Sequence, residues 1–330
     1  MSEKLNRLKE LLGEVSDLGK ASAVLSWDQQ VNMPPMGGEA RGQQLATLRK
    51  IIQEKFTSDE VGKLLDDLKV EFAGADADND DAAVIRVTAR DYEKAKRVPP
   101  EFVAERALAS ARAFKAWVEA KGKSDFSIFL PHLEKNIELV QKYVSFFPPA
   151  DHPYDVLLDN FEPGMKTAEV KAIFDGLRPK QVKLIKAIAD SKQVKDDFLH
   201  AKYNEKKLWD FGVGVVTEFG YDWKRGRQDK APHPFETSFN VNDVRITTRF
   251  ESDNPLATLF GTMHESGHAM YEQVSIPPTS ARRFQAARRW RSMNRNRVCG
   301  KILSVVPCRS GNASSRNSKR FSPRNSTASA

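Results

Sequence analysis

The sequence predicts a mostly α-helical fold with one small antiparallel β-sheet placed immediately before its last regular helix. Three observations lead there. Apolar residues recur at 3- and 4-residue steps through most of the chain up to Phe219. The period then shortens to two between Val244 and Phe250. The charge, finally, divides the chain near Gln273. The whole carries +8, yet residues 1–273 hold 39 basic and 44 acidic side chains, while Val274–Ala330 holds 13 Lys or Arg and no Asp or Glu. The expected organisation is therefore an acidic folded body over residues 1–273 and a basic tail over 274–330. Within the body, 1–147 is helical and 148–273 carries the sheet and the last helix.

The elements follow in order. Leu5, Leu8, Leu11, Leu12, Val15 and Leu18 make the first helical stripe. Further helices are expected at Gly38–Phe56, Ser58–Phe72, Asp81–Lys96, Pro100–Lys121 and Phe126–Phe147. Trp27-Asp28 followed by Met33-Pro34-Pro35 interrupts this pattern, ordinarily a sign of packing plus a turn. Pro148–Met165, with three proline-bearing dipeptides, reads as a loop-rich joint, after which helices resume at Thr167–Ser191 and Glu205–Phe219. Val244, Ile246, Thr248 and Phe250 alternate with Arg245, Thr247 and Arg249, the mark of a half-buried strand. Val241-Asn242-Asp243 would turn it back on Thr237–Asn240. An edge of this sheet could align an extended peptide. No apolar run reaches the roughly 18 residues that cross a bilayer. The first residues open an amphipathic helix rather than a signal peptide, so a cytoplasmic protein is expected.

Chemistry concentrates in the last helix. Asp253-Asn254-Pro255 supplies a capping side chain and a first-turn proline. Leu256, Leu259, Phe260, Met263, Gly267, Met270 and Tyr271 form a stripe expected to be buried beside His264-Glu265-Ser266-Gly267-His268. This is H-E-x-x-H. Residues four apart on a helix lie about 40° apart around its axis, so His264 and His268 can reach one metal ion from one face. Glu265, roughly 100° round from His264, is placed to act as general base toward a water.

Several ordered motifs then converge on one resemblance. Trp27-Asp28 with Met33-Pro34, Tyr154-Asp155 with Glu162-Pro163-Gly164-Met165, His233-Pro234-Phe235, Asp243-Val244-Arg245-Ile246-Thr247-Thr248 and His264–Glu272 resemble the carboxypeptidase Taq family. The resemblance implies a helical metallopeptidase with a deep cleft, usually a homodimer, acting on peptides with a free C-terminus. It implies zinc, or cobalt in some members, held by His264 and His268, with Glu265 as base. His233 and Arg245 sit in family motifs near the cleft and are substrate-binding candidates. A lone histidine is more often structural, and Arg245 and Arg249 could equally face solvent. An exopeptidase nevertheless needs a cation for the substrate carboxylate, which a bidentate arginine suits.

The departure from the family lies in the tail. Members continue to a His-Glu-Ser-Gln motif whose glutamate is a third ligand, then to a longer helical half; neither follows here. After Glu272 no carboxylate or histidine remains. A catalytic zinc takes three protein ligands and a water, so this chain is expected to bind metal weakly and to be impaired. Reading the codons of Met293–Lys301 one base earlier permits His-Glu-Ser-Gln-Ser-Arg-Met-Trp-Glu, the first Glu being forced by the code. A frameshift after about residue 273, with the C-terminal half missing, is the resulting expectation. The alternative is a non-catalytic helical scaffold with a basic RNA-binding tail. Phe284, Trp290 and Phe321 are too sparse for a stacking platform, so nucleic acid is not expected as a partner.

Overall fold

A computed structural model describes residues 2–76 and 78–274. The expectations for the tail beyond Val274 therefore lie outside the described residues. The described part comprises ten α-helices and one three-stranded sheet.

Helix α1 (Glu3–Val31) is the longest element. Its Leu5, Leu8 and Leu12 are buried against Val61, Leu65 and Leu68 of α3 (Asp59–Glu71) and Ile85, Ala89 and Tyr92 of α4 (Asp80–Lys96). This is the larger core of the N-terminal helices. Ser58 and Asn79 cap α3 and α4 by accepting the amides of Val61 and Ala82, as short polar side chains do for otherwise unpaired N–H groups. Between these elements, α2 (Gly38–Phe56) packs along α5 (Pro100–Lys123). The Trp27-Asp28 interruption proves to be helical: α1 runs through it and stops at Asn32, with the Pro34–Gly37 turn following.

The expected helix at Phe126–Phe147 divides. A 3-10 turn at Phe126–Ile128, whose amide at Ser127 is taken by Asp125, precedes α6 (Leu130–Ser145). Pro131 has no N–H to continue the earlier ladder, so it begins a new helix instead. Phe102 stacks on Tyr143 and meets Phe146 edge-to-face, closing α6 against α5. The loop-rich joint also contains a short helix, α7 (Pro153–Leu158), capped by His152 Nδ1 accepting the Tyr154 amide at 3.0 Å. Asp159 ties the following turn to α4. Its carboxylate accepts the Gly164 amide, Arg90 and Lys94 at 2.7–2.8 Å, and Gly164 turns the chain at φ +83°. Then α8 (Thr167–Ala189) runs without a single buried residue, and α9 (Glu205–Glu218) leads to the sheet.

The sheet is mixed, which corrects the antiparallel expectation. The order is β1 (Gly226–Lys230), β3 (Asp243–Thr248), β2 (Glu236–Asn240), with β1 parallel and β2 antiparallel to the central β3. The β2–β3 pair and its turn stand where the alternation put them, though β3 ends at Thr248. Strand β1 reads Gly-Arg-Gln-Asp-Lys and shows no apolar alternation. Val244 and Ile246 of β3 form a second core with Val216, Tyr221 and Ala269. The Tyr221 hydroxyl donates to the Val244 carbonyl at 2.7 Å, and only Gly226 leaves space for the ring beside β1.

Candidate metal centre

Helix α10 (Pro255–Val274) carries the histidine pair and lies on β3, β2 and α9. Asn254 Oδ1 accepts the Ala257 amide at 3.1 Å, the cap that the Asp-Asn-Pro sequence predicts.

The face that α10 buries differs from the expected one. Pro255, Thr258, Thr262, Glu265, Ser266, Ala269 and Gln273 are buried; the Leu, Phe and Met stripe is only half-buried, and Phe260 is 52% exposed. Small and hydroxyl-bearing residues let the helix approach β3 closely and supply hydrogen bonds across the gap. Thr262 Oγ1 bonds Thr248 Oγ1 at 2.9 Å and the Thr258 carbonyl at 3.0 Å. Gln273 closes the far end by accepting the Asp222 amide and donating to the Asp222 carbonyl. Hydropathy periodicity identifies the apolar stripe but not which side meets the sheet when docking is completed by threonine hydrogen bonds.

This orientation sets the site. His264 and His268 point outward and are exposed, their Nε2 atoms 3.2 Å apart. Glu265 sits on the sheltered side, 7% exposed. Its neighbours include the backbone amide of Glu236 on β2, which donates to the carboxylate. Burial pushes the Glu265 carboxyl above the ordinary range, while His264, His268 and His233 and the Glu236 amide pull it back without cancelling the rise. A raised carboxyl is the character wanted in a group that first takes and later returns a proton.

The donor set fits a tetrahedral ion in part. Two imidazole nitrogens each about 2.05 Å from a shared ion, at a tetrahedral angle, stand about 3.3 Å apart. The observed 3.2 Å matches that separation. Among the described residues no third His, Cys, Asp or Glu joins the pair.

The remaining candidates are placed as follows. His233 is exposed, close enough to influence Glu265, with its Nδ1 2.6 Å from the Pro234 carbonyl oxygen. Arg245 makes a bidentate pair with Asp243 at 2.8 Å and lies over the rings of Trp27 and Phe239, at 4.3 and 4.8 Å from their centroids. Arg227 approaches Trp27 as well, at 5.1 Å, so Trp27 of α1 is gripped by two cations of the sheet. Arg249 pairs with Glu251. The outward backbone groups of β2 are also engaged: the Glu236 amide serves Glu265, and the Ser238 carbonyl accepts Lys20 Nζ at 2.6 Å. The edge expected to pair with a peptide is thus occupied at these two positions. The Glu236 amide is the contributor that sequence reading missed, and no side-chain signal could disclose a backbone donor.

A sequence profile of the carboxypeptidase Taq (M32) metallopeptidases matches residues 7–290. Carboxypeptidase 1 of Bacillus subtilis is 35% identical over 265 residues, covering 80% of this chain and 52% of the relative. Thermostable carboxypeptidase 1 of Thermus thermophilus is 33% identical over 276 residues, covering 81% and 54%. Among solved structures, the BsuCP crystal structure superposes with a TM-score of 0.79 at 33% identity, covering 82% of this chain and 55% of that one. A Pyrococcus furiosus carboxypeptidase structure gives 0.71 at 33% identity, covering 83% and 55%. The chain spans about half the length of the curated relatives it matches. With the motif, the paired imidazoles and the helical surroundings in agreement, the chain belongs to the M32, or carboxypeptidase Taq, family of metallopeptidases.

Proposed function

We propose that this chain forms the metal-binding part of a carboxypeptidase that hydrolyses the last peptide bond of peptides and proteins. The observation that carries this reading is the Nε2 pair at 3.2 Å beside a sheltered, amide-held Glu265. His264 and His268 would hold the ion, zinc or alternatively cobalt. When bound, such an ion polarises the scissile carbonyl and makes a water acidic. Glu265 takes the proton of the attacking water and returns it to the leaving amine. Its burial keeps bulk water from competing for that proton, and the Glu236 amide fixes the carboxylate's direction. His233 stands at the open side of Glu265, where a substrate's polar groups would meet it; Arg245 acts through the Trp27 stack to hold the sheet in place.

The family resemblance suggests a homodimer. Among the described residues no helix is long and apolar enough to cross a membrane. We further propose that the 330-residue chain is impaired, because two imidazoles alone bind zinc less firmly than a three-ligand set. The frameshift reading of the tail accounts for that deficit and is tested by resequencing the DNA between the codons for Tyr271 and Arg283.

The functional test is a zinc titration of the purified protein together with assay of amino acids released from a peptide and from its C-terminally amidated twin. Zinc binding is expected to be weak, abolished in His264→Ala and unchanged in Glu265→Gln. Any release should be confined to the free-acid peptide and lost in Glu265→Gln. Undiminished release by Glu265→Gln refutes the assignment of the base. Stoichiometric, tightly held zinc with rapid release refutes the impairment.

A further inference from the structure

Five cations line one cavity within a body whose net charge is −5. The cavity, about 1090 Å³, lies among α1, α2, α4 and α5, with Tyr143 of α6 at its end. None of its lining residues belongs to the sheet or to α10, so it is separate from the histidine pair. Arg86, Arg90 and Lys94 follow one another at four-residue steps along a single face of α4. Arg49 enters from α2 and Arg106 from α5. The one acid in the lining is Asp91, which leaves a local formal charge of +4.

These cations are not equally committed. Arg90 and Lys94 share Asp159 at 2.7 Å each, and Arg106 rests 5.6 Å from the centroid of the Tyr143 ring. Arg49 and Arg86 are exposed to the cavity and make no hydrogen bond or ion pair among the described residues. Gathering like charges in a concave site with low-dielectric walls raises the local potential and the concentration of counter-ions. Val98, Phe102 and Phe114 are among the apolar residues of the same lining. A lining that combines cations with apolar side chains suits a ligand that carries both anionic groups and an apolar body. The volume is that of a small-molecule site and far below what a duplex requires.

We propose that this cavity binds a small organic polyanion, with two or more phosphate or carboxylate groups on an apolar or aromatic body, and that Arg49 and Arg86 are its principal anion contacts. The site stands independently of the metal centre and of the carboxypeptidase reading.

The test is calorimetric titration of the full 330-residue protein at low salt with three probes: metal-free adenosine triphosphate, citrate and inorganic pyrophosphate. One organic probe is expected to bind saturably at one per chain, at least tenfold tighter than pyrophosphate. Whichever organic probe prevails separates a phosphate ligand from a carboxylate one. Arg49→Gln/Arg86→Gln should weaken that binding at least tenfold. Both side chains are exposed, and a thermal melt checks that the variant is folded. Arg288→Gln/Arg289→Gln, which removes equal charge from the acid-free tail, should change affinity less than twofold. Equal losses in the two double variants would show unspecific attraction and overturn the proposal. So would pyrophosphate binding as tightly as both organic probes, or no saturable binding at all.

Discussion

Replacing Gly226 with alanine is expected to unseat the sheet beneath the metal helix. A Cβ at this position would overlap the Tyr221 hydroxyl, stand 2.5 Å from Tyr221 Cζ and 2.6 Å from the Val244 carbonyl oxygen. The carbonyl belongs to the backbone of the central strand and cannot yield without breaking the β1–β3 register. The ring, 3% exposed, has no free volume to swing into. Overpacking of this kind costs about 1–3 kcal/mol. Expelling the ring also removes the 2.7 Å bond from its hydroxyl to Val244, a further loss of about 1 kcal/mol for one hydrogen bond. The combined loss of about 2–4 kcal/mol is a large part of the stability of an ordinary domain. Urea unfolding followed by circular dichroism measures it. With a slope of about 3 kcal/mol per molar, the midpoint should fall by about 0.7 M or more. Gly19→Ala supplies the control, since nothing lies within 4 Å of the added methyl in the middle of α1. That substitution should raise stability by up to about 1 kcal/mol. A Gly226→Ala midpoint within about 0.3 M of the parent would refute the packing argument.

Two further predictions concern the same scaffold. Burial pushes the Asp159 carboxyl up, but Lys94, the Gly164 amide and Arg90 outweigh it and hold the group at about 2. A carboxyl depressed in the folded state adds stability above its ordinary value near 4, and that stability is lost as pH falls toward 2. Because the side chain is 33% exposed, we expect about 1 kcal/mol rather than the full linkage value of roughly twice that. Asp159→Asn should therefore be less stable at pH 7 and should flatten the loss between pH 4 and 2; an unchanged acid limb in urea titrations counts against the assignment. Thr262→Val removes the hydroxyl that joins α10 to Thr248 and should cost about 1–2 kcal/mol, whereas Thr262→Ser should cost less. Equal losses in the two variants would assign the effect to packing instead of hydrogen bonding.

Much of the scaffold was written in local signals. The 3.6-residue stripes and short polar caps located α2 to α6 within a few residues, and the Asn254 cap and the turn at 240–243 appeared as read. The losses have physical causes. Strand β1 is polar throughout because one neighbour and a tyrosine ring define it, not an alternating face. Helix α7 is six residues long, too short for any period to repeat. The buried side of α10 was misjudged because it docks by threonine and glutamine hydrogen bonds, for which hydropathy gives no credit. At the site, the histidine spacing and the flank taken by Glu265 were legible from helical geometry alone. The stack of Arg245 on Trp27 joins residues more than two hundred positions apart and had no local trace.

The outward stripe of α10 has a thermodynamic consequence. Leu256, Phe260, His264 and His268 follow at four-residue steps, so apolar surface and the proposed metal donors share one side of the helix. A segment that contributed a further donor from this side would approach beside the exposed Phe260. Ligation and apolar association then become coupled equilibria, each tightening the other by the same factor. If the histidine pair holds an ion as proposed and a further segment completes its ligand set, chelation should loosen that contact and parting the contact should release the ion.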